Sequence, residues 1–298
     1  MLKGLTAVLV CVLVLINTLI GIGPMLVLAL LRFIVPVKAF QRFCASAVMW
    51  IAESWAEINK TIFALLTPTQ WDIRCDVPLH RDHSYLVVSN HQSWVDIPAL
   101  VQAFNRKTPY FKFFLKKELI WVPFLGLAFW ALDYPFMKRY SKAHLEKHPE
   151  DKGKDLEITK QACKKFKDLP VTVVNYLEGT RFTPAKKAAQ GSPYQYLLKP
   201  KSGGIAFVMA ALGEQMNSLL DVTIVYPQAQ PPGFWALISG QVDRVIVDIK
   251  ARTVEHALFA GDYENDEAFR AQFQAWVNQL WAEKDQRIAE IRKEITQS

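Results

Sequence analysis

The sequence predicts an α/β fold in which a mainly parallel central sheet is flanked by helices and preceded by an N-terminal membrane-anchoring helical segment. Two observations lead to this prediction. From position 71 onward, short runs rich in Val, Ile, Tyr and Phe alternate with helical stretches, which is the order of a sheet whose parallel strands are joined by helices. Ahead of them, positions 5–31 contain no charged residue.

The uncharged segment 5–31 is long enough to reach across a bilayer. As a helix it would extend roughly 40 Å at ~1.5 Å per residue, which exceeds the ~30 Å thickness of the hydrocarbon core. Gly21 and Pro24 interrupt it, so we expect either one kinked span or two shorter helices that form a shallow hairpin in one leaflet. A cleaved signal peptide is the alternative, but its apolar region would be only ~7–15 residues long. We therefore expect residues 1–36 to be a retained anchor and residues 37–298 to be one domain.

Basic residues are more numerous just after the anchor than before it. Lys3 precedes it, whereas Arg32, Lys38 and Arg42 follow, which predicts that the domain lies on the cytoplasmic side. The formal net charge of +7 fits either nucleic acid or an anionic membrane surface. Beside an anchor the membrane is favoured, since each basic residue near anionic headgroups contributes ~1 kcal/mol. The sequence contains no zinc-finger spacing or other nucleic-acid motif, so we expect membrane phospholipids, and no nucleic acid, as partners.

The four cysteines are scattered along the chain and form no C-x-x-C pair; they are Cys11, Cys44, Cys75 and Cys163. Such an arrangement indicates neither a metal site nor a redox pair. We therefore expect free thiols in a reducing compartment and no bound metal.

Along the domain, residues 40–66 have the pattern of an apolar helix, which could pack on the anchor or on the rest of the domain. The predicted strands are 71–75, 84–88, 109–115, 171–177, 222–226 and 244–249. The predicted helices are 94–104, 118–132, 153–166, 204–212 and 267–295. Stretches 141–154 and 183–201, which contain charges and prolines, are predicted to be exposed loops. The apolar spacing in the last helix indicates one face that packs on the core or, alternatively, on a partner.

His91 is the only one of the six histidines that has an aspartate five residues further on. It follows the strand 84–88, and sites in α/β folds form at strand ends. An aspartate one turn into the next helix, Asp96, can reach back and hold the imidazole, which can then take a proton from a hydroxyl near neutral pH. The alternative is structural, because Ser93-x-x-Asp96 also matches a capping box in which the carboxylate only satisfies backbone donors.

A second motif, Glu178-Gly179-Thr180-Arg181, follows the strand 171–177. Gly179 permits a sharp turn, and Arg181 carries a planar fork that suits phosphate. The alternative is a turn that ends the strand and carries a surface Glu–Arg pair, which would contribute only ~0–1 kcal/mol. A base near an arginine predicts chemistry on a hydroxyl carried by an anionic molecule.

A third segment, 111–139, combines an aromatic stretch with flanking basic residues, among them Lys116 and Arg139. These cations could hold an anionic headgroup while the aromatic residues line an acyl groove or lie at the membrane interface. Alternatively, they are solvated residues at a helix start and at the beginning of a charged loop. The strand 222–226, which ends at Pro227, is fully explained by packing in the core.

Taken in order, these segments resemble the lysophosphatidic acid (1-acylglycerol-3-phosphate) acyltransferase family of glycerolipid acyltransferases, with the greatest similarity to a bacterial inner-membrane member. Residues 90–96 fit its N-H-x-S-x-x-D block, and residues 178–181 are its E-G-T-R block. Segments 116–126 and 136–139 resemble its second block, and the strand ending at Pro227 resembles its fourth. Three departures from the family pattern are Tyr176-Leu177 for Phe-Pro, Lys138-Arg139 for Asp-Arg, and Val225-Tyr226-Pro227 for the usual Val-Pro pair.

The resemblance implies that residues 37–298 form an acyltransferase domain in which His91 is the general base and Asp96 orients it. It implies a glycerophosphate site formed by Lys116, Arg139, Glu178, Gly179, Thr180 and Arg181. The acceptor would be lysophosphatidic acid, and the co-substrate acyl-CoA or acyl-ACP (acyl carrier protein), with no other cofactor. The product would be phosphatidic acid, made on the cytoplasmic side of a bacterial inner membrane.

The residues permit a direct transfer, in which His91 deprotonates the glycerol 2-hydroxyl as that oxygen attacks the thioester carbonyl. A different lysophospholipid could be the acceptor. Two other classes stay open at this point: a non-catalytic lipid-binding protein, which would need no His–Asp pair, and a membrane-anchored hydrolase, which would deliver water. The sequence contains no G-x-S-x-G nucleophile turn for the latter.

Overall fold

The computed structural model describes residues 2–137 and 170–297 and begins with two long antiparallel helices. Helix α1 (Leu2–Ile34) runs unbroken through Pro24, and residues 35–37 reverse the chain into α2 (Lys38–Leu66). Of the two alternatives expected for this segment, the structure has the single helix and not the two shorter helices separated at Gly21 and Pro24. The two long helices also make a polar contact, in which Asn17 Nδ2 of α1 donates to Trp55 O of α2 at 3.0 Å.

Helix α1 is the one helix in the described part of the chain that is long and apolar enough to cross a membrane, judged by its length and composition. Most of its apolar surface is not covered by the rest of the protein. Helix α2 contacts both α1 and the rest of the domain. Two of its glutamates bind the domain: Arg81 Nη2 donates to Glu53 at 2.6 Å, and Asn105 Nδ2 donates to Glu57 at 2.8 Å.

Six strands form the main sheet in the order β1-β8-β7-β2-β6-β3, and every neighbouring pair is parallel except β7–β8. The strands of this sheet are β1 (Gln70–Cys75), β2 (Ser84–Ser89), β3 (Phe111–Phe113), β6 (Thr172–Tyr176), β7 (Met216–Val225) and β8 (Arg244–Arg252). A short parallel pair, β4 (Leu115–Lys116) and β5 (Phe136–Met137), lies apart. The prediction of a mainly parallel sheet is confirmed.

Helices cover both faces of the sheet, and the central strand β2 is buried along its whole length. The remaining helices are α3 (Asp96–Phe104), α4 (Leu125–Ala131), α5 (Pro184–Gln190), α6 (Ser202–Leu212), α7 (Phe234–Ile238), α8 (Ala257–Ala260) and α9 (Glu267–Gln297). Val87 packs in the cluster that contains residues of α1, α2 and α3, whereas Leu86 and Val88 pack with α6 and α9. This alternation is the period of a strand that is covered on both sides.

Two expectations for helices and loops need correction, and two others are not tested. The predicted helix 118–132 is split at Pro123 into a 3₁₀ turn (Lys117–Trp121) and α4. The predicted loop 183–201 contains α5, where Thr183 caps the helix start by accepting from Lys186 N. The predicted helix 153–166 and loop 141–154 lie outside the described residues.

The C-terminal helix α9 packs on the core, as one of the two interpretations of its pattern predicted. Its buried apolar side chains include Phe273, Val277 and Trp281. Lys284 is also fully buried on this face, where its ammonium contacts Asp221 and donates to Val222 O at 2.5 Å. These contacts of Lys284 connect α9 to β7.

Candidate active site

Two of the polar segments singled out in the sequence, 90–96 and 178–181, meet beyond the carboxyl ends of β2 and β6. These strands are adjacent and parallel, so their ends necessarily lie side by side. Asn90, the residue after β2, joins this strand end to β7. Its Nδ2 donates to Ile224 O at 2.9 Å, and its Oδ1 accepts from Ile224 N at 2.9 Å.

His91 and Asp96 form the pair that the sequence predicted, with His91 Nδ1 2.8 Å from Asp96 Oδ2. The carboxylate is fully buried, and the imidazole keeps 18% of its surface exposed. Because Nδ1 faces a carboxylate, it carries the proton, and Nε2 keeps its lone pair on the accessible side of the ring. The arrangement can act as a general base.

Asp96 also accepts from backbone donors, as the structural interpretation of the motif expected. Its Oδ2 also accepts from the backbone N–H groups of Gln92 at 2.7 Å and Ser93 at 3.0 Å. The bond from Ser93 N is half of a capping box. The Ser93 hydroxyl does not complete the box, because it accepts from Val95 N and donates to Pro232 O.

Glu178 is fully buried and holds the backbone on either side of the site. Its Oε1 accepts from His91 N at 2.8 Å, and its Oε2 accepts from Leu198 N at 3.0 Å. Burial raises the pKa of this carboxyl to about 7, an effect that the two backbone donors partly oppose. Since both oxygens point into the protein, this geometry favours a positioning role over the substrate contact predicted for Glu178.

Gly179 forms the sharp turn expected from the sequence, with φ at +65°. This left-handed conformation disfavours any residue with a Cβ, and a Cβ here would also lie 3.2 Å from the side chain of Lys201. After this turn the chain runs next to His91, since Phe182 N donates to His91 O at 2.7 Å. The loop that carries Arg181 is thus joined directly to the loop that carries His91.

Arg181 extends over the face of Trp94, with the guanidinium carbon 4.5 Å from the ring centroid. Within the described part of the chain, no carboxylate pairs with this guanidinium, so the surface Glu–Arg pair is not formed. Lys186 Nζ braces the same loop by donating to Thr180 Oγ1 at 2.8 Å and to Arg181 O at 2.9 Å. The edge of the guanidinium is therefore available to an anion.

The other two predicted substrate-binding residues are not described as side chains. Lys116 is the last residue of β4, where its backbone pairs with Met137 of β5, but its side chain lies outside the described residues. Arg139 also lies outside them. The roles of Lys116 and Arg139 stay predictions.

Sequence reasoning missed three aromatic residues that contact the predicted site. Tyr176 stacks on the His91 ring, with centroids 4.1 Å apart and planes at 17°. Tyr226 donates its hydroxyl to Asp96 Oδ1 at 2.5 Å, and Trp94 lies under Arg181. Tyr176 and Tyr226 stand where the sequence departs from the family pattern, which is the signal that could have identified them.

Two apolar cavities lie between the N-terminal helices and the domain. The larger, of about 460 Å³, is lined by residues of α1, α2 and α3 together with Trp94 and Phe234. The smaller, of about 240 Å³, is lined by residues of α1, α2 and α4 together with Tyr110 and Tyr134. Because Trp94 both lines the larger cavity and stacks on Arg181, a cation stands at the border of an apolar groove.

No group of three His, Cys, Asp or Glu side chains that could hold a metal ion occurs among residues 2–137 and 170–297. The free thiols among them are those of Cys11, Cys44 and Cys75, while Cys163 is outside these ranges.

Comparison with known proteins gives a consistent set of similarities. A family model described as Acyltransferase matches residues 72–227. The 1-acyl-sn-glycerol-3-phosphate acyltransferase 3 of Arabidopsis thaliana is 25% identical over 221 residues, which cover 68% of this chain and 52% of that protein. The human 1-acyl-sn-glycerol-3-phosphate acyltransferase gamma is 28% identical over 184 residues, which cover 58% of this chain and 44% of that protein.

A further relative is the lysocardiolipin acyltransferase 1 of Danio rerio, 26% identical over 187 residues, which cover 59% of this chain and 44% of that protein. The chain thus spans about half the length of the curated relatives it matches. Among solved structures, that of the 1-acyl-sn-glycerophosphate (LPA) acyltransferase PlsC from Thermotoga maritima aligns with a TM-score of 0.49 at 17% identity, covering 94% of this chain and 98% of that one.

Proposed function

The chain belongs to the acyltransferase family, and from this premise we propose that it is a membrane-bound enzyme that moves a fatty acyl group from an acyl thioester to the 2-hydroxyl of 1-acylglycerol-3-phosphate. The product is phosphatidic acid, and the donor is acyl-CoA or acyl-ACP. The observation that carries the proposal is the pairing of His91 with a buried carboxylate beside a loop that presents Arg181, whose guanidinium has no carboxylate partner among residues 2–137 and 170–297.

In the proposed reaction, His91 Nε2 takes the proton of the acceptor hydroxyl as its oxygen attacks the thioester carbonyl carbon. The new C–O bond forms, the C–S bond breaks, and the proton passes from the imidazolium to the departing sulfur. Asp96 stabilises the imidazolium that forms between these steps, because it faces Nδ1 at 2.8 Å. A positioned base of this kind contributes typically ~10²–10⁴-fold to the rate.

Arg181 binds the acceptor phosphate in this proposal. Its guanidinium offers two parallel N–H donors to phosphate oxygens, and Trp94 covers one of its faces so that an anion approaches from the edge. Thr180 and Gly179 shape the loop, and Lys116 and Arg139 add further cations. Holding the phosphate fixes the hydroxyl next to His91, and such orientation lowers a barrier by several kcal/mol.

The apolar cavity of about 460 Å³ is suited to an acyl chain, because its lining is almost wholly hydrocarbon and aromatic. Each methylene that leaves water contributes ~0.8 kcal/mol. Trp94 marks the point where this groove meets the phosphate-binding edge.

Membrane attachment is supported by the uncovered apolar surface of α1. Helices α4 and α7 both contact α1 and extend this surface with the exposed rings of Trp130 and Trp235. Helix α1 is held at its middle by the hydrogen bond from Asn17 to Trp55 of α2, and near its C-terminal end by an Arg32–Asp133 ion pair of 2.5 Å. These ties favour a hairpin of α1 and α2 in one leaflet over a perpendicular span. We place the domain on the cytoplasmic face of a bacterial inner membrane.

A second candidate acceptor is a different lysophospholipid. The chain is similar to a lysocardiolipin acyltransferase at an identity close to that of the other relatives, and this similarity favours including other lysophospholipids in the assay.

The test is an assay of the purified full chain with labelled acyl-CoA or acyl-ACP and vesicles that contain one lysophospholipid each. Diacyl product from lysophosphatidic acid supports the proposal, and product from another acceptor alone supports the second candidate. Release of free fatty acid without diacyl product would show a hydrolase and contradict both. His91→Ala removes the base, and His80→Ala is the matched control because its ring contacts His83, away from Asp96.

A further inference from the structure

Tyr226 follows β7 directly and is fully buried against the catalytic pair. Its hydroxyl donates to Asp96 Oδ1 at 2.5 Å. The other three donors to this carboxylate, His91 Nδ1 and the backbone N–H groups of Gln92 and Ser93, all use Oδ2. Among the described residues, Tyr226 is thus the one hydrogen-bond donor to Oδ1.

This contact has two physical consequences for the base. A buried carboxylate oxygen without a hydrogen-bond donor is unfavourable, so the phenol fixes the angle at which Asp96 meets the imidazole. A hydrogen-bond donor on Oδ1 also withdraws negative charge from the carboxylate. The electrostatic attraction between Asp96 and the His91 imidazolium is then weaker.

We propose that Tyr226 is a positioning residue that orients Asp96, and through it His91, and that makes the pair less basic than it would be with an aspartate alone. The inference rests on the proposed function of His91 as the base. Tyr226 interrupts the Val-Pro pair usual at this position in the family, so the proposal concerns a feature of this chain.

The phenol stays a donor at every relevant pH. Burial, and then the neighbouring charge of Asp96, raise the pKa of Tyr226 well above its ordinary value. Within the described part of the chain, the other charged or titratable groups around the pair lie on β6, on the loop that follows β6, and on α9. They are Tyr176, which stacks on His91; Glu178, which accepts from His91 N; Arg181 on the adjoining loop; Lys284, whose charge acts on Glu178; and Arg292, which donates to Tyr226 O at 3.2 Å. Tyr226→Phe changes none of these groups.

The test compares Tyr226→Phe with Tyr134→Phe in the full chain. Tyr134 is the matched control because its buried hydroxyl donates to Phe111 O at 2.7 Å, in the core and away from the pair. We expect Tyr226→Phe to lower kcat about tenfold with unchanged acceptor KM, the size of effect that one hydrogen bond to a charged group has on a barrier. The acidic limb of kcat/KM should move to higher pH by about 0.5–1 unit, as expected when the imidazolium is held more tightly.

A measurement without substrate separates this inference from the proposed function. The rate at which diethyl pyrocarbonate modifies His91, followed by peptide mass spectrometry from pH 5 to 9, reports the basicity of the ring itself. It should shift to higher pH in Tyr226→Phe and not in Tyr134→Phe. An unshifted His91 profile in Tyr226→Phe overturns the inference, whether or not acyl transfer is observed. A shifted profile in a protein that transfers no acyl group would support the contact and contradict the proposed function.

Discussion

Replacing Glu178 by Gln should change how the stability of the protein depends on pH. Burial raises the pKa of this carboxyl from an ordinary 4.5 to about 7, so the folded protein binds its proton more tightly than the unfolded chain. The sign follows directly: the contribution of Glu178 to stability is fully present below pH 4.5 and is lost as the pH rises through about 7. At ~1.36 kcal/mol per unit, the loss is about 3 kcal/mol.

Glutamine has the shape of the protonated acid and cannot ionise. The free energy of unfolding of the wild type minus that of Glu178→Gln should therefore fall by about 3 kcal/mol between pH 4.5 and 8. The glutamine amide has one oxygen that accepts and one NH₂ group that donates. One of the two backbone donors, His91 N or Leu198 N, therefore loses its acceptor and faces the amide NH₂ group instead. We expect lower acyl transfer at every pH as a result.

The assay is denaturant unfolding of both proteins in detergent at several pH values, followed by tryptophan fluorescence. Glu255→Gln, at an exposed position, is the control and should show no such pH-dependent difference. A difference between wild type and Glu178→Gln that stays constant across pH would refute the reasoning, because it would mean that the buried carboxyl ionises as readily as in the unfolded chain.

Three further changes have defined outcomes. Gly179→Ala places a Cβ on a residue with φ of +65°, which costs ~1–2 kcal/mol, and thermal unfolding at a lower temperature together with reduced transfer would bear this out. Trp94→Ala should raise the acceptor KM by releasing Arg181, and Trp94→Phe should restore it in part; an unchanged KM in both would contradict the contact. Lys284→Met leaves Asp221 with one arginine partner and should destabilise the fold by ~3 kcal/mol, which a chemical denaturation midpoint equal to that of the wild type would disprove.

Short-range patterns in the sequence predicted most of the sheet and the contact between His91 and Asp96. Strands such as 84–88 and 171–177 consist mostly of apolar residues because both faces are covered, and that composition is visible without a structure. His91 and Asp96 are five residues apart on one strand–helix junction, so their contact depends on local geometry alone. The same holds for the positive φ of Gly179.

Contacts between residues distant in sequence were not predictable in this way. Glu178 accepts from Leu198 N and from His91 N, and no local pattern indicates that a motif glutamate faces inward. Tyr226 reaches Asp96 across 130 positions, because β7 lies beside β2 in the sheet. Strand order decides such contacts, and composition does not reveal strand order.

Local signals also failed where packing overrides them. Pro24 is a helix breaker, yet α1 continues through it, and packing along α2 compensates for one missing backbone bond. Residues 118–132 have helical composition, but Pro123 and the left-handed Phe124, with φ of +62°, separate the 3₁₀ turn from α4.

Acyl transfer by His91→Ala, measured beside His80→Ala, tests the role of the imidazole most directly. We expect His91→Ala to lose at least ~10²-fold in kcat while its unfolding temperature and vesicle binding match those of His80→Ala. Transfer to lysophosphatidic acid at the wild-type rate by His91→Ala would disprove the proposed role of His91 as the base.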